Sequence, residues 1–209
     1  MMPPSPLPNR LPRATELAHG LIATRLGPGA IAIDATAGNG HDTVFLADRV
    51  GPDGRVHAFD IQAAAITVTR QRCESAGVAD RVRLWQACHS LLGEELRQAG
   101  EATESAGAIM FNLGYLPGSD KSCLTRADTT LAALRKALDW LAPGGLLTVV
   151  AYPGHAGGDE ETAAVETWSA GLDQAAFAVA TYRFLNQTNP PPRLVAVERR
   201  LPDPASRTK

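Results

Sequence analysis

An apolar, strand-like run, AIMFN, ends at Asn112 and passes through Leu113, Gly114 and Tyr115 to Asp120 and Lys121. A connection that only had to turn needs none of these polar groups. An Asn side-chain carbonyl, with backbone carbonyls near it, can accept the hydrogens of a neutral amine and aim the nitrogen lone pair. A Tyr ring close by can wall or stack the group that carries the amine. Displacement at a methyl carbon depends on that alignment above all, because the lone pair must point along the bond being broken. Asn112 and Tyr115 are therefore candidate catalytic residues for methyl transfer to an amine. The plainer alternative is an Asn cap and a buried Tyr.

A second constellation lies upstream in AIDATAGNGHDT, residues 32–43. The strand runs out at Asp34, and Gly38, Asn39 and Gly40 precede His41 and Asp42, which open a helix. Glycines here allow close backbone approach to a ligand, and the helix start offers unpaired N–H groups that bind a carboxylate as well as a phosphate. Thr43 stands where a dinucleotide fingerprint wants its third glycine. Asp34 suits a neighbouring ammonium group better than a pyrophosphate, since like charges repel at short range. About twenty residues after the glycines a second strand ends in FDIQ, where the Asp60 carboxylate can accept both hydroxyls of a ribose. S-adenosylmethionine thus fits better than NAD. His89, in WQACHS after a third strand, falls either near the adenine or at a cap before the next helix. A lone GxG is weak, Asp42 can be a helix cap and Asp60 can merely end a strand, so the force of the reading lies in their combination.

The elements that position these residues alternate. Strand-length runs AIAID, VHAFD, VRLWQA, AIMFN and LLTVVAY are separated by helical patterns near 41–50, 62–76, 90–99 and 123–142, which predicts a parallel sheet covered by helices on both faces. After a further helix near 159–173 come FAVATYRFL and RLVAVERR, joined only by NQTNPPP. No crossover helix fits that link, so the two runs should be antiparallel neighbours. The expectation is an α/β class I (Rossmann-like) methyltransferase fold, a mostly parallel seven-stranded sheet with a C-terminal antiparallel hairpin. A segment at 15–26 adds an amphipathic helix before the first strand.

Bulk properties exclude several classes. A chain of 209 residues, 44% hydrophobic, can bury one core and is short for two. Its formal net charge of -2 gives no global basic field, so any RNA surface must be a local patch, for which Arg126 and Arg193 are candidates. Three separated cysteines form no CxxC, which argues against a disulfide framework or zinc site. The Pro-rich start holds no continuous apolar stretch, so no signal or membrane-spanning segment is expected and the location expected is cytoplasmic. The organisation expected is a disordered lead-in over 1–12, one domain over 13–200 and a flexible tail over 201–209.

The order Asn, two residues, Tyr in NLGY resembles the NPPY motif of amino-group methyltransferases, with Leu113 and Gly114 in place of the prolines. Taken together, DATAGNGHDT, FDIQ, FNLGYLPGSDK, YPGH at 152–155 and NQTNPPP resemble the bacterial MnmM (YtqB-like) methyltransferases over roughly residues 15–199. The resemblance implies methylation of the 5-aminomethyl group of wobble uridine 34 in tRNA, with S-adenosylmethionine as cofactor, the tRNA anticodon stem-loop as partner and a homodimer. Thr36, at a position commonly glycine in methyltransferases, agrees with the family pattern. Carried over position by position, Asp34, Thr36 and Gly38 through Thr43 form the first cofactor loop, with Asp60, Ile61 and Gln62 on the ribose. Asn112, Leu113 and Gly114 border both cofactor and amine. Tyr115, Asp120, Lys121, Tyr152, Asn186 and Gln187 face the acceptor, and His155 is a candidate proton acceptor. The rival readings are a methyltransferase acting on ribosomal RNA or a small amine, and a noncatalytic module that binds an adenosyl ligand.

Overall fold

The computed structural model describes residues 10–114, 125–154 and 156–202. The expectations for Tyr115, Asp120, Lys121 and His155, and most of those for the two termini, lie outside the described residues. Seven strands form one sheet: β1 Ile31–Asp34, β2 Arg55–Asp60, β3 Val82–Gln86, β4 Ala106–Asn112, β5 Leu141–Ala151, β6 Phe177–Tyr182 and β7 Arg193–Arg199. Their order is β3-β2-β1-β4-β5-β7-β6. The first five are parallel, whereas β7 runs antiparallel to β5 and β6 antiparallel to β7. The chain thus makes the terminal hairpin that its short NQTNPPP link demands, and the strand order reverses between β1 and β4, where open α/β sheets bind ligands.

Among the described residues six α-helices cover the sheet: α1 Ala14–Ala23, α2 His41–Val50, α3 Ala63–Ser75, α4 Leu92–Gln98, α5 Ala127–Trp140 and α6 Gly158–Ala170. Alternation along β4 builds two cores. Ala108 and Met110 join Ala18 and Ile22 of α1, Leu46 of α2 and Cys73 of α3 on one face. Ile109 and Phe111 join Leu96 of α4, Leu134 and Trp140 of α5 and Val165 of α6 on the other. A strand buried on both sides in this way reads as a continuous apolar run, which is why AIMFN is legible.

One element differs from expectation. The helix expected over 123–142 begins at Ala127, and its last residues belong to a longer β5 that starts at Leu141. Ala106 pairs with Leu141 and Ala108 with Leu146, so the intervening APGG bulges out of the ladder. Gly144 turns there with φ +78, and a Cβ on Gly145 would lie 2.8 Å from the Ala142 carbonyl. The place of α1, which the sequence left open, is distant. The helix packs not beside β1, which follows it in sequence, but across β5 and β7. Arg25 beside its end reaches Glu198 of β7 at 2.9 Å, and the Tyr182 hydroxyl at the end of β6 donates to the Pro12 carbonyl at 2.9 Å.

Candidate active site

A cleft of about 380 Å³ opens at the carboxyl ends of β1, β2 and β4, the size of a small-molecule site. Thr36, Gly38, Asn39, His41, Asp42, Asp60, Ile61, Gln62 and His89 line one part of it, and Asn112, Leu113, Gly114 and Tyr152 line the other. The fold therefore brings most of the described candidates together. Asp34, Gly40 and Thr43 stand behind the wall, and Asn186 and Gln187 lie on the exposed β6–β7 link, away from the cleft lining.

The glycine loop is held from three sides. Asp60 accepts the Gly38 N–H through Oδ2 and the Gln62 N–H through Oδ1, both at 2.9 Å. Thr69 of α3 donates to the Gly38 carbonyl at 3.1 Å, and the Arg72 Nε of the same helix to the Asn39 carbonyl at 2.5 Å. Each Asp60 oxygen keeps a lone pair for a ligand hydroxyl. Gly40 caps α2 in the left-handed region, with φ +77. Its lack of a side chain serves that dihedral and close packing on Thr69, while Gly38 is the glycine that lines the cleft.

Asp34 also needs correcting. It is fully buried and accepts the Thr43 hydroxyl at 2.5 Å and the Thr36 N–H at 3.1 Å. Burial, then the nearby Asp42 charge, raises its carboxyl pKa despite those two donors. It braces the loop from inside rather than meeting an ammonium group. Thr43 replaces the third glycine of a dinucleotide fingerprint because its hydroxyl is the donor that this carboxyl needs. The cleft-facing carboxylates are Asp42 and Asp60, and no lysine or arginine of the described residues lines the cleft. That donor set fits S-adenosylmethionine, with its cationic sulfur and ammonium, and is poor for a pyrophosphate.

His89 is 7% exposed, touches Phe111 edge-on and hydrogen-bonds the Ala35 backbone, while its Nε2 has no partner among the described residues. A buried ring nitrogen at the cleft without a partner is what an adenine or similar polar edge would satisfy. Burial lowers the ring's pKa from 6.5 to about 4. The sign follows: as pH falls through 6.5 the unfolded chain takes up the proton, but the folded ring resists until about 4, so the fold loses stability across that window. Asp34, with its raised pKa, works in the opposite sense. Comparison of the parent with His89→Gln isolates the ring: chemical denaturation at pH 7 and pH 4 should show the parent losing roughly 3 kcal/mol more than the variant.

At the acceptor end, the Asn112 N–H donates to the Thr36 hydroxyl at 2.7 Å, which pins the end of β4 to the cofactor loop. The Asn112 carboxamide Nδ2 faces Asp42 Oδ2 at 3.4 Å, and Asp42 Oδ1 lies 2.6 Å from Nε2 of His19 on α1. Tyr152 hydrogen-bonds the Asn112 side chain, and burial, then the Asp42 charge, raises its phenol pKa. Gly114 and Thr125, the described neighbours of segment 115–124, hold each other: the Gly114 N–H donates to the Thr125 hydroxyl at 2.9 Å and the Thr125 N–H to the Gly114 carbonyl at 3.2 Å. Glu161, 3% exposed at the start of α6, accepts the hydroxyls of Thr125 at 2.7 Å and Thr130 at 2.6 Å.

Sequence reasoning missed His19, Thr125 and Glu161. None sits in a motif, and Glu161 in GDEET looks like any solvated acidic helix start. Of the two residues expected in a basic patch, Arg193 is half-buried and bonded to Glu166 at 3.0 Å, whereas Arg126 is exposed and faces the equally exposed Asp128 at 3.3 Å. Among the described residues no group of His, Cys, Asp and Glu could hold a metal, and no helix is long and apolar enough to cross a membrane.

The comparisons agree with this geometry. The family model described as "Putative rRNA methylase" matches residues 56–198. A protein of Arabidopsis thaliana described as "tRNA (mnm(5)s(2)U34)-methyltransferase, chloroplastic" is 40% identical over 183 residues, which are 84% of this chain and 65% of that one. The chain thus spans about two-thirds of that relative's length. A solved structure described as a putative rRNA-methylase from Clostridium thermocellum superposes with a TM-score of 0.84 at 40% identity, covering 91% of this chain and 99% of that one. A putative methyltransferase from Streptococcus mutans, solved in complex with SAH, gives 0.80 at 39% identity with the same coverage of each chain. With the sheet order, the cleft and these matches in agreement, the chain belongs to the family described as "Putative rRNA methylase", built on the class I methyltransferase fold.

Proposed function

We propose that this chain is an S-adenosylmethionine-dependent methyltransferase that N-methylates the 5-aminomethyl group of uridine 34 in tRNA. The observation that carries the reading is Asn112. It ends β4 at the cleft with its amide N–H turned to Asp42, so its carbonyl oxygen is left to accept an amine hydrogen. When bound, S-adenosylmethionine supplies an electrophilic methyl group on a positively charged sulfur. Asp60 would hold its ribose, His89 its adenine side, and Thr36, His41 and Asp42 its amino-acid end. Asn112 and Tyr152 form the wall where a primary amine would be aligned. A neutral amine needs no dedicated base during the transfer itself. The name of the Arabidopsis relative supports uridine 34 as the site, and an anticodon loop offers the single-stranded, exposed base such a cleft requires.

The description of the family favours a second reading, methylation of ribosomal RNA. Purified protein should convert the 5-aminomethyl nucleoside of tRNA to the 5-methylaminomethyl form, read by nucleoside mass spectrometry, and should leave ribosomal RNA unlabelled. Methyl label in ribosomal RNA and none in tRNA would replace this reading with the second. Calorimetry should show Asp60→Ala weakening cofactor binding by about tenfold, because the ribose loses a charged acceptor and the Gly38 and Gln62 N–H groups lose theirs.

A further inference from the structure

The contacts of α1 reach into the site. Ala14, Ala18 and Ile22 are buried in the core on the sheet, whereas His19 points to the first turn of α2. Its ring lies parallel to that of Phe45, with centroids 4.0 Å apart and 2° between the planes. That stack fixes the plane in which Nε2 meets Asp42 Oδ1 at 2.6 Å. The other oxygen of the same carboxylate faces the Asn112 amide at the long distance of 3.4 Å.

We propose that His19 is a positioning residue of the transfer step, holding the Asp42 carboxylate so that Asn112 keeps its carbonyl oxygen turned toward the amine. The proposal rests on the functional reading above. A carboxamide can turn over within its own volume, and only its hydrogen bonds decide which end faces the cleft. A carboxylate accepts and does not donate, so Asp42 selects the N–H end of Asn112; the Asn112 bond to Tyr152, which acts to lower the phenol pKa, likewise runs from the amide N–H to the phenol oxygen, and the carbonyl oxygen stays free. The reverse orientation would direct an N–H at the amine, where it would occupy the lone pair that has to attack. Because the Asn112–Asp42 contact is long, it is a weak guide unless the carboxylate is itself fixed. The Thr36 hydroxyl holds the Asn112 backbone but says nothing about the side chain. His19 is the group that fixes Asp42, and the Phe45 stack fixes His19.

The test uses the full chain and two variants, His19→Ala and His19→Gln, the second keeping an N–H donor. Single-turnover methylation of 5-aminomethyl tRNA should fall about tenfold in His19→Ala and recover to within about threefold of the parent in His19→Gln. Because Asp42 also borders the cofactor's amino-acid end, affinity for S-adenosylhomocysteine, measured by calorimetry, should fall in His19→Ala by clearly less than the rate does and return to the parental value in His19→Gln. The side-chain amide resonances of Asn112, assigned by their loss in Asn112→Ala, should move in His19→Ala and return in His19→Gln. This last readout needs no turnover. If the parent protein does not methylate the tRNA, the functional reading falls while the resonances still report on positioning. Unmoved resonances, or equal loss of rate in the Ala and Gln variants, overturn the proposal. Should His19→Ala fail to fold, Phe45→Leu removes only the stack and must shift the same resonances, or the proposal fails.

Discussion

Asn112→Ala should lower the single-turnover rate of methyl transfer by about a hundredfold while changing affinity for S-adenosylmethionine by less than about threefold. The asymmetry follows from where the side chain sits. Its backbone N–H, bonded to Thr36, survives the substitution and keeps β4 joined to the cofactor loop. What disappears is the carbonyl that orients the amine, an interaction whose value is realised when the lone pair aligns with the departing bond. Rapid-quench measurements at saturating cofactor and tRNA separate this from binding. A near-parental rate would make NLGY a structural turn and remove Asn112 from catalysis. Asn112→Asp probes the same point differently. It places a second carboxylate beside Asp42, and the added negative charge favours the protonated, lone-pair-free form of the substrate amine. Its rate should be low at neutral pH and recover in part as the pH rises and the ammonium group loses its proton.

Gly40→Val should destabilise the fold by about 3 kcal/mol or more, through two separable causes. The first is conformational: at φ +77 a β-branched residue is a genuine outlier. The second is steric, because a Cβ there would lie 2.9 Å from the Cα of Thr69, a backbone atom of α3 that cannot swing aside. Gly77 separates the two. It has φ +68 but nothing within 4 Å of its Cβ position, so Gly77→Ala meets only the conformational cost, about 1 kcal/mol. Thermal unfolding of Gly40→Ala, Gly40→Val and Gly77→Ala should rank them accordingly, with the Gly40 pair well below Gly77→Ala. Cofactor affinity should fall in the Gly40 variants alone, since Thr69 and Arg72 on the displaced α3 hold the carbonyls of Gly38 and Asn39. Equal melting temperatures for Gly40→Ala and Gly77→Ala would remove the steric argument.

The strands were legible because parallel strands buried on both faces leave apolar runs that turn residues interrupt, and the hairpin because a seven-residue link admits no crossover. The cleft residues at the carboxyl ends of strands were legible for the same reason: Asp60 and Asn112 are the last residues of β2 and β4, and Gly38 and His89 lie in the connections just after β1 and β3. Roles were less legible than positions. Asp34 ends β1 and Asp42 opens α2 across one loop, and nothing in the string says that the first is buried with Thr43 while the second faces the cleft. His19 and Glu161 were illegible because their partners, Asp42 and Thr125, are distant in sequence and the pairing exists only once α1 and α6 have docked. Arg193 was misread for the converse reason: its cationic charge is visible in the sequence, but its half-buried bond to Glu166 is not.

The seat of α1 carries a consequence for the order in which the protein is made. The helix is near the start of the chain, yet its supports are β5 and β7, and β7 is the last strand of the sheet. Contacts between such remote stretches must wait for the intervening polypeptide, and closing so long a loop is slow. During synthesis α1 therefore lacks part of its seat until β7 has emerged, and until then nothing completes the surface that holds His19 against Asp42. A nascent chain with its glycine loop already folded would hold the cofactor half of its site while the acceptor half stood unassembled. Competence would then arrive last and all at once, with the closing of the two ends of the fold onto each other.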